Sequence, residues 1–176
     1  MSYKWNTRTE LLLGAERMEY LSHCHVLVVG LGGVGAYAAE QICRAGIGHM
    51  TIVDADTVND SNINRQLPAL HSTLGMQKAE VVGQRLLDIN PRLKLTILNE
   101  FLRDERTEEV LSAQKYDFIV DAIDSLSPKA YLLYHAYRRE IPIVSSMGAG
   151  AKIDPSQVKI ADISKTCNCA LAKAVR

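Results

Sequence analysis

The stretch Gly30-Leu31-Gly32-Gly33-Val34-Gly35 directly follows the apolar run Val26–Val29, and it constrains the fold of this chain more than any other feature. Glycines allow a sharp turn and let backbone N–H groups approach an anion, and a helix beginning there points its positive dipole end at the same spot. A strand, a glycine turn and a helix in that order predict a phosphate-sized hollow at the end of a buried strand. The same turn also serves plain strand-to-helix packing, so the pattern alone does not decide for a nucleotide. Asp54, which closes the second apolar run Met50–Val53 about twenty residues on, strengthens the reading, because a carboxylate there can accept both ribose hydroxyls.

Further apolar runs at Leu95–Leu98, Phe118–Val120 and Ile141–Val144 alternate with helical stretches at Val34–Ala45, Gln77–Ile89, Arg106–Ala113 and Pro128–Arg139. Pro91 and Pro142 mark where helical stretches have ended. The alternation predicts an α/β fold, a Rossmann-like doubly wound, mostly parallel sheet with helices on both faces. In such sheets ligands lie beyond the carboxyl ends of the strands, where Gly30, Asp54, Asp121 and Ser145 all fall. No repeat or linker divides the chain, which reads as one domain over 1–176 with an N-terminal helical segment, 1–24. Within that segment Thr9–Ser22 forms one or two short helices whose apolar side is Leu11, Leu12, Leu13, Met18 and Leu21, expected to dock on the sheet or on a second subunit. Leu171–Arg176 is good helix former with no stop signal, so the chain reads as ending in mid-helix.

With 176 residues, 47% of them hydrophobic, the chain has enough apolar material for a sizeable core. Lys+Arg and Asp+Glu both count 20, a net charge of +0, so no global field draws in nucleic acid and any RNA contact needs a local patch. The apolar runs are far too short for a membrane span, and Met1-Ser2-Tyr3-Lys4 lacks a signal-peptide pattern, which points to the cytoplasm. Of Cys24, Cys43, Cys167 and Cys169 only the last two form a C-x-C, not the paired C-x-x-C of a structural zinc site. Cys24 and Cys43 read as small apolar packing groups in a reducing compartment.

A dinucleotide dehydrogenase also has a glycine turn and an acid after the second strand, so the choice between NAD and ATP rests on the next segment. Asp54-Ala55-Asp56 leads into Asn62-Ile63-Asn64-Arg65-Gln66, and Gly75-Met76-Gln77-Lys78 opens a helix. Arg65 and Lys78 are long cations expected at the crevice mouth rather than in the core, placed to reach a triphosphate, with the Asn62 amide offered to the same oxygens. Pyrophosphate departure needs such charge, whereas the two phosphates of NAD are already held by a glycine loop. Taken singly, a solvated surface residue is the commoner reading of each cation; it is the combination with the glycine loop that points to phosphate. Asp121-Ala122-Ile123-Asp124 follows the fourth apolar run, and Asp124 is the favoured carboxylate for Mg²⁺, with Asp121 read as a cap on the following turn.

Arg8-Thr9-Glu10-Leu11-Leu12-Leu13-Gly14, the glycine loop, Asp54-x-Asp56, Asn62-x-Asn64-Arg65-Gln66, Lys78 and Asp121-Ala122-Ile123-Asp124-Ser125 together resemble the ubiquitin-activating-enzyme-like superfamily of adenylating enzymes. Ile141–Gly150, Asp162-Ile163-Ser164-Lys165-Thr166 and Leu171-Ala172-Lys173 are similar to its tRNA threonylcarbamoyladenosine dehydratase branch. The resemblance spans nearly the whole chain. It implies that ATP lies against Gly30, Gly32, Gly33, Gly35, Asp54 and Asp56, with Asp54 on the ribose and Asn62, Arg65 and Lys78 on the phosphates. It further implies Mg²⁺ on Asp124, and a homodimer in which Arg8 reaches the partner's ATP site. Relatives that activate ubiquitin-like sulfur carriers often bear two C-x-x-C zinc pairs and a later catalytic cysteine; neither is in place here, which favours the tRNA branch. That branch also continues well past the position of Arg176.

The reaction implied is ATP-dependent activation of a carboxylate, with Arg65, Lys78 and Asp124 as the catalytic set. In the resembled branch the carboxylate belongs to the threonyl part of a modified adenosine in tRNA, whose own carbamoyl group closes a ring. A ubiquitin-like sulfur-carrier C-terminus is the alternative substrate, and a sulfur-transfer protein a further implied partner. An NAD-dependent oxidoreductase using His71 or His135 as acid or base and a catalytically silent nucleotide-binding scaffold are the readings from other classes.

Overall fold

A computed structural model describes residues 4–176, with Lys4 described by its backbone alone. Five strands, β1 (His25–Val29), β2 (His49–Val53), β3 (Lys94–Leu98), β4 (Phe118–Asp121) and β5 (Ile143–Ser145), form one parallel sheet in the order β3-β2-β1-β4-β5. Helices α1 (Thr7–Leu13) and α2 (Ala15–His23) precede the sheet. α3 (Gly35–Ala45), α4 (Lys78–Ile89), α5 (Asp104–Ala113) and α6 (Leu126–Arg138) follow β1 to β4 in turn, and α7 (Ala170–Val175) ends the chain. No helix among the described residues is long and apolar enough to cross a membrane.

The central strand β1 is buried along its whole length, as a strand covered on both faces must be. Its side chains alternate between two cores. Val26 and Val28 join Met50 and Ile52 against Ala36, Ala39, Cys43, Val82 and Leu86 of α3 and α4. Leu27 and Val29 join Val53 and Ile119 against Val110, Leu111, Leu132 and Ala136 of α5 and α6. The strand order reverses at β1, with β2 on one side and β4 on the other, so α3 and α6 pack on opposite faces and the carboxyl ends of β1 and β4 form the switch point where ligands lie in folds of this kind.

Element boundaries move by a few residues from those read in the sequence. α6 begins at Leu126, because Pro128 in the first turn costs no intrahelical hydrogen bond. Pro142 lies outside β5, yet its carbonyl still accepts from the Ile119 N–H at 2.8 Å. The N-terminal segment breaks into two helices at Gly14, whose φ is +85°. Only α2 docks on the sheet layer as expected: Leu21 packs on the first core and its carbonyl accepts from the Gly48 N–H at 3.1 Å. Leu11 and Leu12 do not, being 75% and 80% exposed, because α1 buries no residue at all.

Candidate active site

The glycine turn divides into two functions. Gly30 has φ +87°, and a Cβ there would stand 2.7 Å from the Ala122 carbonyl oxygen on the loop after β4. A Cβ at Gly35 would overlap the Gly30 carbonyl oxygen. These two positions are glycine because the fold allows nothing larger, which is the packing reason raised for the motif as a whole. Gly32 and Gly33 are different: a Cβ would meet only the Gln66 amide at 3.6 Å and the Arg65 carbonyl oxygen and side-chain stem at 3.5 and 3.6 Å. The Asn62–Gln66 segment thus folds back over the glycine turn, and Arg65 crosses Gly33.

Asp54 ties the turn to β2. One carboxylate oxygen accepts from the Leu31 N–H at 2.6 Å and the other from the Asp56 N–H at 2.8 Å. Burial pushes the Asp54 carboxyl above its ordinary value, and the two N–H groups and the nearby Lys78 charge act against that shift. Each oxygen keeps a lone pair for a further donor.

Lys78 is not at the mouth of the crevice. It is 5% exposed at the start of α4, with its ammonium 2.9 Å from Asp56, whose side chain is 55% exposed. The cause is local: the Lys78 N–H donates to the Asp56 carbonyl at 2.9 Å, which draws the first turn of α4 under the Asp54–Asp56 loop. Arg65 is exposed, as expected, with its guanidinium donating to the Ser61 carbonyl at 2.8 Å and to Asn64 Oδ1 at 3.0 Å. Asn62 is buried, and its Oδ1 accepts from the Asn59 N–H at 3.1 Å, leaving the amide donors for another partner.

Asp124 is exposed, and its carboxylate makes no hydrogen bond or ion pair with the described residues. Asp121 caps the turn that carries it, accepting from the Ile123 N–H at 3.0 Å. Arg8 is exposed on α1, which packs on α2, and no described contact brings it to the glycine turn of its own chain. His71 is exposed in a short 3-10 turn, and His135 packs at a tilt on Tyr131 and edge-on against Tyr134, beside Glu108 on the α5–α6 side. Neither adjoins the turn that holds Asp54.

Two residues of this region had no role assigned from sequence. Gln66 lies against Gly32, and its Oε1 is buried with no hydrogen-bond partner among the described residues. Lys129 is fully buried against Asp121 at 2.6 Å. Its signal was available, since Lys129, Leu132 and Ala136 share the buried face of α6 at helical spacing. The open Gly32–Gly33 backbone, the orphaned Gln66 oxygen, the Arg65 stem over Gly33 and the unpartnered Asp124 carboxylate leave polar groups free for a ligand.

The chain is similar to proteins of known name along most of its length. The chain is 39% identical over 179 residues to the tRNA threonylcarbamoyladenosine dehydratase of Escherichia coli, covering all of this chain and 66% of that protein. It is 42% identical over 170 residues to the enzyme of the same name from Bacillus subtilis, covering 97% of this chain and 66% of that protein. The chain therefore spans about two thirds of the length of these relatives. The crystal structure of the E. coli dehydratase in complex with ATP matches with a TM-score of 0.95 at 38% identity, over 98% of this chain and 71% of that one. The model of the ThiF family matches residues 3–175, and the chain belongs to that family.

Proposed function

We propose that residues 1–176 form the ATP-binding adenylating domain of an enzyme that activates a carboxylate, and that this carboxylate belongs to the threonylcarbamoyl group of a modified adenosine in tRNA. The observation that carries the reading is the likeness over 98% of the chain to the E. coli dehydratase solved with ATP.

A carboxylate is a poor electrophile, because its leaving group would be oxide. In the proposed reaction one of its oxygens attacks the α-phosphorus of ATP, the bond to the bridging oxygen breaks, and pyrophosphate leaves. The acyl carbon then carries AMP. The carbamoyl group of the same nucleoside attacks that carbon, the ring closes, and AMP leaves with the former carboxylate oxygen, so that water is lost overall. The second nucleophile is inside the substrate, and proximity supplies much of the rate.

The residues divide the work by position. Asp54 accepts from the ribose hydroxyls. Arg65 and the Asn62 amide donate to phosphate oxygens at the glycine turn, and Gln66 offers its orphaned Oε1 to a donor of the bound nucleotide. Lys78 delivers a buried cation beside Asp54, where desolvation strengthens its pull on the leaving pyrophosphate. Asp124 would hold Mg²⁺, which when bound neutralises charge on the phosphates.

Two copies are inferred to associate through α1. Leu11 and Leu12 expose their side chains next to Arg8, which in such a dimer would serve the partner's site. A cytoplasmic location is part of the same proposal, since its substrate is tRNA.

Incubation with ATP, Mg²⁺ and tRNA bearing the threonylcarbamoyl group, followed by nucleoside mass spectrometry, tests the reading. Loss of one water from the modified nucleoside, only when ATP is present, is the expected result. An unchanged nucleoside alongside adenylation of a ubiquitin-like sulfur-carrier C-terminus would overturn it.

A further inference from the structure

Under the crevice wall lies a charged cluster that the proposed chemistry does not use. Lys129 is 0% exposed, and its ammonium donates to Asp121 Oδ2 at 2.6 Å, Ser145 Oγ at 3.0 Å and the Ser146 carbonyl at 2.9 Å. Three donors meet three acceptors, so the group is saturated. Asp121 is equally committed: Oδ2 also accepts from Ser145 Oγ at 2.5 Å, and Oδ1 accepts from the Ile123 N–H at 3.0 Å.

A buried ion pair contributes little net stability, because desolvation cancels much of the attraction, and apolar side chains of similar volume often serve a core as well. What distinguishes this cluster is what it joins. On one side is the Ala122–Ser125 loop, where the Ala122 N–H donates to the Val29 carbonyl at 2.8 Å and Asp124 follows Ile123 directly. On the other is the segment leaving β5, whose Ser146 N–H donates to the Asp121 carbonyl at 2.8 Å. Both loops leave the sheet at its carboxyl edge, and Ala122 is the residue that packs on Gly30.

We propose that Lys129 is a positioning residue: through Asp121 it fixes the loop that holds the Asp124 carboxylate beside the glycine turn, and through Ser145 and Ser146 it locks the segment after β5 to the same wall. The role of Asp124 toward Mg²⁺ rests on the function proposed above, whereas the clamp itself does not.

Lys129→Met alone strands a buried carboxylate and is prone to unfold. The test therefore uses Asp121→Leu/Lys129→Met, which removes both charges, and Ser145→Ala, which keeps the ion pair and cuts one link. The first readout is amide hydrogen exchange in the unliganded chain. Exchange at Ala122 and Ser146, whose N–H groups donate to the Val29 and Asp121 carbonyls, is expected to accelerate at least about tenfold in the double variant while the β1 amides keep their rates. The second is the Mg²⁺ concentration that gives half of the ATP-induced rise in melting temperature, expected to increase about tenfold or more, with the response to metal-free AMP unchanged. Ser145→Ala should move both in the same direction by less. Exchange that accelerates uniformly over the sheet, or not at all, would overturn the clamp. Local acceleration with an unchanged Mg²⁺ requirement would overturn its bearing on Asp124. A wild-type response to ATP that needs no Mg²⁺ would instead count against the proposed role of Asp124, with the exchange readout still deciding the clamp.

Discussion

Lys78 is buried while its partner Asp56 reaches solvent, and that asymmetry sets what a substitution there does. Removing the lysine leaves Asp56 to solvent but takes the nearby cation from the buried Asp54 carboxyl and empties a buried site, so Lys78→Ala should cost about 1–3 kcal/mol of stability. Its effect on pyrophosphate release should be on the order of 10²-fold or more, as is usual when a preorganised cation is lost. Near-normal turnover in steady-state assays would remove Lys78 from the chemistry. The thiols give a second check at the same scale. Burial pushes the Cys43 thiol up to about 11, whereas N–H groups of Ala172 and Gly148 draw the Cys169 thiol below its ordinary value, and Cys167 is exposed. Alkylation of the native protein followed by peptide mapping should label Cys167 and Cys169 and spare Cys43. Labelling of Cys43 at a comparable rate would mean that α3 opens readily from the sheet.

Among the elements, the glycine turn carries the sharpest contrast. Gly30→Ala forces a left-handed residue against a backbone oxygen and should destabilise by several kcal/mol, with strain alone costing about 1–2 kcal/mol. Gly32→Ala has room and should keep the fold while weakening nucleotide binding; chemical denaturation and nucleotide titration separate the two. At the opposite end of the sheet, His25 of β1 donates its N–H to Asp117 at 2.8 Å and pairs its ring nitrogen with Thr51 at 2.9 Å, against the Tyr116 and His49 rings. Burial, then His49, holds its imidazole below the ordinary 6.5. The unfolded chain therefore takes up this proton first, so stability is full above pH 6.5 and falls as pH drops from there toward the lower folded value. His25→Gln should flatten that part of a melting-temperature profile, and an unchanged slope would assign the loss to other groups. Strands and glycine turn were legible in the sequence because alternation and turn chemistry are local. The burial of Lys78, the exposure of Leu11 and Leu12 and the partners of the Lys129 ammonium were not, because each depends on which loop or core lies opposite, even though the helical spacing of Lys129 with Leu132 and Ala136 marks its buried face. Lys78 was drawn inward by a backbone hydrogen bond to Asp56, a contact across a loop that no spacing rule encodes.

For the molecule as a whole, the reversal of strand order beside β1 brings the segments after β2 and β4, which carry Asp54, Arg65, Lys78 and Asp124 of the proposed site, to the edge of the sheet where β1 ends in the glycine turn. ATP with Mg²⁺ should therefore raise the melting temperature, and NAD⁺ should not, since ligand linkage rewards only the form that binds. Equal stabilisation by NAD⁺ would return the fold to the dehydrogenase reading. A pair of chains joined through α1 should appear by light scattering as a dimer, and a monomer at high concentration would leave Arg8 a surface residue. The central step is adenylation of a carboxylate. Modified tRNA whose threonyl carboxylate carries a heavy oxygen isotope, turned over with ATP and Mg²⁺, tests that step directly: the label is expected to leave in AMP, and label found in inorganic phosphate with none in AMP would overturn the adenylation step.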